Sequence, residues 1–330
     1  MKIYAIAKVT FLQIIRQPIF GVLVILSMGL MATSPSFTGF TLDDDNKMLR
    51  DLCLSTMLVA SLFLAAFSAS GAISAEIDDQ TILTIVSKPI NRLAFIAGKF
   101  LGVMGTLLLA NLFMTLTFLL VFRHGVLSAA YMDRDMPVIV FGLTAAGGAL
   151  LLAGLGNYLF DWQFAPTAMA LGLPMMGFAV IISGFFDKTW KFQHLGTGYP
   201  LDLILACVLL VLAAWVLAGV CLVCSIRINV VWSLVVAVMV LYLGLRWDEW
   251  VQPHIQQSSQ WYARLGWSAL YALVPNFQVF WMLDALDQGK SIPLRYLLPA
   301  LGYCLCYLGA AWFAAYALFL GRQVGAANKI

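Results

Sequence analysis

Long apolar runs, separated by short polar segments, dominate the hydrophobic pattern of this chain. A helix that crosses a membrane needs about 20 predominantly apolar residues. Eight runs approach or exceed this length: approximately Pro18–Ser34, Leu52–Ala75, Leu93–Phe122, Pro137–Phe160, Ala165–Phe186, Leu201–Cys224, Val230–Leu245 and Tyr296–Leu320. The seventh is the shortest, and the third is long enough to be tilted. The pattern therefore predicts an all-α, polytopic integral membrane helix bundle of about eight spans.

The segment before the first run has an amphipathic pattern. Residues 1–17 mix basic and apolar side chains, and they differ from a signal peptide, which has a short basic start and a small-residue cleavage site. We expect a helix in the cytoplasmic interface of the membrane, with Phe11, Ile14 and Ile15 in contact with lipid. Residues 18–330 would then form one transmembrane domain.

The segment between the last two runs, Arg246–Arg295, is long and not simply polar. Its apolar pieces Tyr262–Leu273 and Phe277–Leu286 are too short to span, and they are interrupted at Pro275–Asn276. Such pieces either form an amphipathic helical cap on the ends of the spans or re-enter the membrane partway. The residues leave both arrangements open, and the fold that we predict includes the first of them: residues 246–295 form an outside loop with interfacial helices, a periplasmic helical cap.

The composition agrees with a membrane protein and limits its partners. Hydrophobic residues make up 62% of the chain and charged residues 11%, whereas about 25% of the residues in a soluble domain are charged. This leaves no room for a separate soluble domain. The net charge of +3 is small, and the polar segments are short and of mixed sign, so we expect membrane lipid and no nucleic acid as a partner.

The distribution of Lys and Arg predicts the orientation. These residues are denser in residues 1–17, in the segment from Glu76 to Arg92 and at the carboxyl end than in the alternate segments. Basic residues accumulate on the cytoplasmic side of a membrane. We therefore expect an inner (plasma) membrane protein with both termini in the cytoplasm and residues 246–295 outside.

The chemistry of ATP hydrolysis and of ion coupling is missing from the sequence. A phosphate-binding loop ends in Gly-Lys-Ser or Gly-Lys-Thr, as Gly289–Ser291 does, but Asp284 stands where its first glycine belongs. The middles of the spans carry no ionisable residue, which disfavours an ion-coupled carrier, an intramembrane protease or a metal-dependent membrane enzyme. For Asn111 and Asn157 we expect hydrogen bonds between helices.

The cysteines are expected to pack between helices. Cys221 and Cys224 form a C-x-x-C pair, and Cys304 and Cys306 form a C-x-C pair. A metal or redox site is the alternative, but no histidine or carboxylate is nearby in sequence to complete one. Buried cysteine otherwise behaves as a small apolar residue, so we expect no metal and no cofactor in this chain.

The most informative polar segment follows the second span. It begins with acidic residues, continues with an amphipathic stretch and ends at Ser87-Lys88-Pro89 before Arg92. Because a proline disfavours helix at the residue before it, a short helix should end near Lys88. Without further information this segment is a solvated connector whose acidic residues cap a helix start.

This segment resembles the signature loop of type-2 ABC exporter permeases. The similarity lies in Glu76, Thr81, Ser87–Arg92 (Ser-Lys-Pro-Ile-Asn-Arg) and Gly98–Gly102 (Gly-Lys-Phe-Leu-Gly). The stretch Leu273–Phe280 (Leu-Val-Pro-Asn-Phe-Gln-Val-Phe) and the amphipathic amino-terminal helix are also similar to that family. A typical member has six spans, so the hairpin at Pro137–Asp187 is either an insertion or a miscount.

The resemblance implies the membrane permease subunit of an ATP-driven ABC exporter that has no ATPase site of its own. Two such subunits, identical or related, would form the pathway, and separate cytoplasmic ATPase subunits would bind ATP and Mg²⁺. The loop would be the coupling element that contacts the ATPase. Its implied contact residues are Glu76, Asp78, Asp79, Thr81, Leu83, Ser87, Lys88, Pro89 and Arg92.

A second interpretation predicts the same topology. The chain would then be a non-transporting membrane anchor or a signalling component of a multi-subunit complex. The sequence does not name a cargo, but the spans are apolar and poor in charge, which favours a lipid-like or amphipathic one.

Overall fold

The computed structural model describes residues 2–38, 45–78, 92–126, 134–194, 198–257 and 260–320. Of these residues 86% are helical, and none of them forms a β-strand. The helices are α1 (Lys2–Ile15), α2 (Pro18–Thr38), α3 (Asp45–Asp78), α4 (Arg92–His124), α5 (Met136–Phe160), α6 (Phe164–Gly184), α7 (Leu201–Ser225), α8 (Val230–Gln257), α9 (Trp261–Leu273), α10 (Leu283–Asp287) and α11 (Leu297–Leu320). Single 3₁₀ turns occur at Phe277–Val279 and Leu294–Tyr296.

Eight of the described helices, α2 to α8 and α11, are long and apolar enough to cross a membrane. The predicted all-α polytopic bundle is therefore confirmed. Three of these helices form the centre: between 61% and 72% of the hydrophobic window is buried in α3, α4 and α7, against 17–28% in the other five. In this centre the Ser61 hydroxyl donates a 3.1 Å hydrogen bond to Asn111 Oδ1, so the predicted bond between helices at Asn111 is confirmed.

The prediction for Asn157 is wrong. Its Nδ2 donates to the carbonyl of Trp162 at 2.5 Å, within the turn that joins α5 to α6. Asn157 lies in the last turn of α5, where carbonyl groups of the connecting turn are within reach of its side chain. The residue therefore stabilises the turn of a hairpin instead of joining two spans.

The seventh span is longer than predicted. The apolar run ends at Leu245, but α8 continues to Gln257. Its continuation is amphipathic: Arg246 and Glu249 pair at 2.6 Å on the exposed side, while Trp247 and Val251 are buried on the other side. The helix therefore continues beyond the apolar run, because one of its faces stays packed while the other carries the charged residues.

The spans alternate in direction, and this places the start and the end of the described chain at one end of the bundle. The rings of Phe95 and Phe319 lie 6.1 Å apart, and Arg227 donates to the carbonyl of Leu318 at 3.3 Å. We call this end, which holds α1, the end of α3, the start of α4 and the end of α11, the loop end. The opposite end is called the far end.

Helix α1 packs along α4, and the expected lipid contact is wrong for Ile14 and Ile15, while Phe11 is half-buried beside Gly105 of α4. A Cβ atom added at Gly98 would lie 2.7 Å from Ile6 Cβ, and one added at Gly102 would lie 2.6 Å from Thr10 Cβ. Ile14 and Ile15 are only 1% and 3% exposed. The two glycines allow the helices to approach closely, as small residues do between membrane helices, while Tyr4 and Val9 of α1 remain exposed.

The segment after α8 enters the bundle between α8 and α11. The Pro275 carbonyl reaches Gly244, near the midpoint of α8, and the backbone N–H of Asn276 donates to the Tyr303 hydroxyl at 2.7 Å. The chain then returns to the far end, where Asp287 lies 3.4 Å from Arg50. These contacts favour a re-entrant segment over a cap on the helix ends.

The hairpin of α5 and α6 lies outside the other six spans. The two helices pack closely against each other and contact α4 and α1. Exposed aromatic side chains lie at both ends of the hairpin, with Phe160 and Trp162 at the loop end and Trp190 and Phe192 at the far end. Aromatic residues accumulate at the two interfaces of a membrane. The hairpin is thus formed by two full spans and is not a miscount.

Candidate functional site

The structure places the ends of the predicted coupling segment but not its interior. Glu76 and Asp78 lie in the last turn of α3, and Arg92 begins α4. The other predicted contact residues lie outside the described residues: Asp79, Thr81, Leu83, Ser87, Lys88 and Pro89. The short helix expected to end near Lys88 also lies outside them. The segment is attached to the end of α3 and to the start of α4.

That attachment is a closely packed junction at the loop end. Gln17, between α1 and α2, lies against Gly71 of α3, where an added Cβ would lie 2.5 Å from its Nε2. Gly98 of α4 lies against Ile6 of α1. The two helices that flank residues 79–91 therefore both contact the amino-terminal segment, and a displacement at their ends would be transmitted into the bundle centre.

Lys99 is buried at this junction, which the sequence pattern did not predict. It lies within the third span and is 2% exposed. Its Nζ lies 5.6 Å from the centre of the Phe95 ring, a distance at which a cation is attracted to an aromatic face. The Gly98–Gly102 motif contains the residue, but only the tertiary structure shows its burial beside Phe95, whose ring also contacts Phe319 of α11.

A cavity of about 600 Å³ lies between α2, α4 and the hairpin. Small residues on three helices form much of its wall: Gly21, Gly29, Ala32, Gly142, Ala146, Ala165, Ala168 and Gly172. Exposed side chains, among them Ile25 and Leu143, lie at its margin. The cavity is therefore an apolar slot that opens sideways between α2 and α5.

The slot extends along the helices and not across them. It contacts α2 from Gly21 to Pro35, a stretch about 21 Å long at 1.5 Å per residue. Phe164 lies at its loop end and His124 at its far end. Its length therefore exceeds the depth of one leaflet, which is about 15 Å of a hydrocarbon core about 30 Å thick.

Arg123 fixes the hairpin to α4 at the far end of the slot. Its Nε lies 3.3 Å from Asp135 Oδ2, and both side chains are buried. Its Nη1 and Nη2 donate to the carbonyls of Ser183 and Phe186, at the end of α6. Asp135 also accepts from the backbone N–H of Val138 at 3.3 Å and so caps α5. One guanidinium thus joins the start of α5 and the end of α6 to α4.

Basic side chains accumulate beside this ion pair. His124 lines the slot. Arg134 precedes Asp135 in the chain, and Lys188 follows Phe186, whose carbonyl accepts from Arg123. Lys188 and Arg134 are exposed, whereas Asp135 is buried and already paired with Arg123. The exposed Asp187 beside Lys188 offsets one of these two cations, and the exposed Lys191 adds a third. The described residues at the far end of the slot therefore carry a small excess of basic side chains, whereas the walls of the slot are apolar.

Cys53, Cys207, Cys221 and Cys304 are buried in the bundle, and Cys224 is half-buried. Cys306 is exposed, so the expected packing between helices is wrong for Cys306. Cys207 lies 3.9 Å from the Met57 sulfur, and Cys304 lies 3.6 Å from the Leu212 carbonyl. Cys53 contacts the Ser34 hydroxyl at 3.5 Å. Within the described residues, no three histidine, cysteine or carboxylate side chains come close enough to hold a metal ion.

The fold and these sites define a multi-pass helical membrane protein with a buried three-helix centre, a peripheral hairpin and an apolar slot between them. No protein-family model matches the sequence, and no curated protein matches it either.

Proposed function

We propose that this chain is the membrane permease subunit of an ATP-driven ABC exporter, energised by a separate cytoplasmic ATPase subunit. In this proposal the ATPase subunit binds ATP and Mg²⁺, and a second permease subunit, identical or related, completes the pathway. The loop end faces the cytoplasm, so both termini are cytoplasmic and the chain belongs to the inner (plasma) membrane.

The observation that carries the proposal is the position of residues 79–91. They connect α3 to α4, two of the three helices of the bundle centre, and the amino-terminal segment packs against both. The other described connections at this end, residues 161–163 and 226–229, are short turns. A partner that pulls or pushes on residues 79–91 would therefore act directly on the centre.

The arrangement of the spans adds support. Without the hairpin α5–α6, the chain has six spans, which is the usual number in the family that the loop motifs resemble. The interrupted stretch Leu273–Phe280 precedes the last of them, as in that family. The eight spans are then accounted for by a hairpin inserted after the third span.

The test is purification in mild detergent with identification of the co-purifying proteins and measurement of ATP hydrolysis. Leu83→Asp should release the ATPase subunit or abolish its stimulation, because an apolar contact worth about 1.5–3 kcal/mol is replaced by a charge. Leu83→Met keeps the apolar contact and should behave like the wild type.

Charge reversal at Asp78 and Asp79 to Lys should weaken the same complex most strongly at low salt, since rim charges act through screened electrostatics. Asp161→Lys, in another connection of the loop end, is the matched control. Normal co-purification and full ATP hydrolysis in both Leu83→Asp and the reversed variant would argue against the coupling role. Absence of any ATPase from the purified wild type would favour the anchor or signalling component.

A further inference from the structure

The slot between α2 and the hairpin has the features of a lipid-binding site. It is enclosed on three sides by spans, and its volume of about 600 Å³ lies within the usual range of ligand sites, about 300–1,000 Å³. Its walls are apolar, and it opens sideways between exposed side chains of α2 and α5. An occupant that arrives through this opening comes from the membrane itself.

The direction of the slot selects an extended apolar chain. Because it follows α2 for about 21 Å, a compact ligand would fill only part of it. Glycines keep it open: a Cβ atom added at Gly21 or Gly29 would contact nothing within 4 Å. A hydrocarbon tail that runs parallel to the helices matches both the length and the lining.

The charges at the far end of the slot indicate which lipid headgroup would bind there. His124 lines the slot there. The exposed Arg134 precedes Asp135, and the exposed Lys188 follows Phe186. Both Asp135 and the Phe186 carbonyl contact Arg123, the neighbour of His124. Lys191 is exposed in the same turn as Lys188, and its carbonyl accepts from the backbone N–H of Asp187. Asp135 is paired with Arg123, so among the described residues at this end of the slot the three exposed cations Arg134, Lys188 and Lys191 stand against one exposed carboxylate, Asp187. Basic groups between membrane helices bind anionic headgroups.

We infer that the slot binds a membrane lipid with an anionic headgroup, with an acyl chain along α2 and the headgroup at His124, Arg134 and Lys188. The hairpin α5–α6 then serves as the outer wall of a lipid site, held in place at its far end by Arg123. This site does not depend on whether an ATPase drives the protein.

The test is native mass spectrometry of the purified full chain titrated with phosphatidylglycerol and with phosphatidylcholine of the same acyl chains. Wild type should retain one phosphatidylglycerol in preference to phosphatidylcholine. Gly29→Phe places a ring in the slot and should weaken binding of both lipids, since each methylene of the tail that is displaced from the slot costs about fourfold in affinity. Gly154→Phe, on α5 at a position that is also open but outside the slot, should bind like the wild type.

The headgroup is tested separately with the pair Arg134→Glu and Lys188→Glu. Together they should weaken phosphatidylglycerol binding by about tenfold and leave phosphatidylcholine unchanged. Lys290→Glu, an exposed lysine on the chain that returns from the re-entrant segment, is the control. Elution as a single species in size-exclusion chromatography verifies that each variant is folded.

Two results would overturn the inference. One is that Gly29→Phe or the charge-reversed variant binds phosphatidylglycerol as tightly as the wild type does. The lipid would then bind elsewhere on the protein surface. The other is a change of oligomeric state in Gly29→Phe without a change in lipid binding, which would make the slot a contact between two copies of this chain.

Discussion

Arg123 connects more structural elements than any other described cation at the far end of the bundle. Its guanidinium pairs with buried Asp135 and donates to two carbonyls at the end of α6, while its Cζ lies 5.6 Å from the centre of the Tyr199 ring. A planar guanidinium with five donors suits this geometry, whereas an ammonium group on a flexible stem would not. The residue thus holds the ends of α5 and α6 in register with α4.

Arg123→Leu should destabilise the protein by about 3–5 kcal/mol, because Asp135 is left buried without its counter-charge. Asp135→Asn in the same chain should recover part of this loss, since the amide oxygen still accepts from Val138 and the charge is gone. The measurement is thermal unfolding in detergent, followed by tryptophan fluorescence. Equal midpoints for the single and the double variant would mean that the ion pair is not the cause.

At the scale of elements, the contact between α1 and α4 depends on glycine. Gly98 and Gly102 lie one turn apart on the face of α4 that meets α1. At Gly102 the neighbours of an added Cβ include the Ala7 carbonyl at 2.9 Å, which is backbone and cannot rotate away. The close approach also buries Thr10 completely. An ordinary side chain at this position must therefore move the whole helix.

Gly102→Ala should displace α1 from α4. In a chain without the native cysteines, Thr10→Cys should then change from protected to reactive towards a maleimide. Gly105→Ala should have a smaller effect, because its added Cβ meets the Phe11 ring at 3.2 Å, and a ring can shift. Gly154→Ala, which contacts nothing, is the control. Protection of Thr10→Cys in Gly102→Ala would contradict this account of the contact.

At the scale of the whole molecule, the eight spans alternate in direction, so the loop end and the far end of the bundle lie on opposite sides of the membrane. Asp161 lies in the turn at the loop end, and Gln256 lies near the end of α8, at the far end. Both residues are exposed. Whatever the orientation in the membrane, these two positions should differ in accessibility, and the proposed orientation states which of them is cytoplasmic.

In a background without native cysteines, Gln256→Cys should react with an impermeant maleimide in intact cells, and Asp161→Cys should react only after the inner membrane is permeabilised. The proposed function requires this result, because an ATPase must reach residues 79–91 from the cytoplasm. The reverse pattern would place the loop end outside and remove the basis for coupling. Equal reactivity of the two positions in intact cells would contradict the alternating direction of the spans.

The sequence by itself determined the class of the protein. Apolar runs of sufficient length predict spanning helices because the bilayer leaves backbone groups no other partner than the helix, and all eight appear at the predicted places. The sequence also predicted the hydrogen bond between helices at Asn111, since a buried amide within a span needs a hydrogen-bond partner. Loop composition and motif order suggested the coupling segment, which lies largely outside the described residues.

Only the tertiary structure decided which faces of the helices meet. Ile14 and Ile15 have the apolar character of lipid-facing residues, and nothing in their sequence distinguishes lipid from a protein neighbour, because both are equally apolar. The slot could not be predicted from the sequence for a similar reason. Small residues on α2, α5 and α6 can line either a close contact or a gap, and the positions of the helices decide which of the two forms. Arg123 holds the hairpin at its far end by pairing with Asp135, and α2 lies along α3 and α4, so the slot between hairpin and α2 arises from tertiary contacts that no single helix encodes.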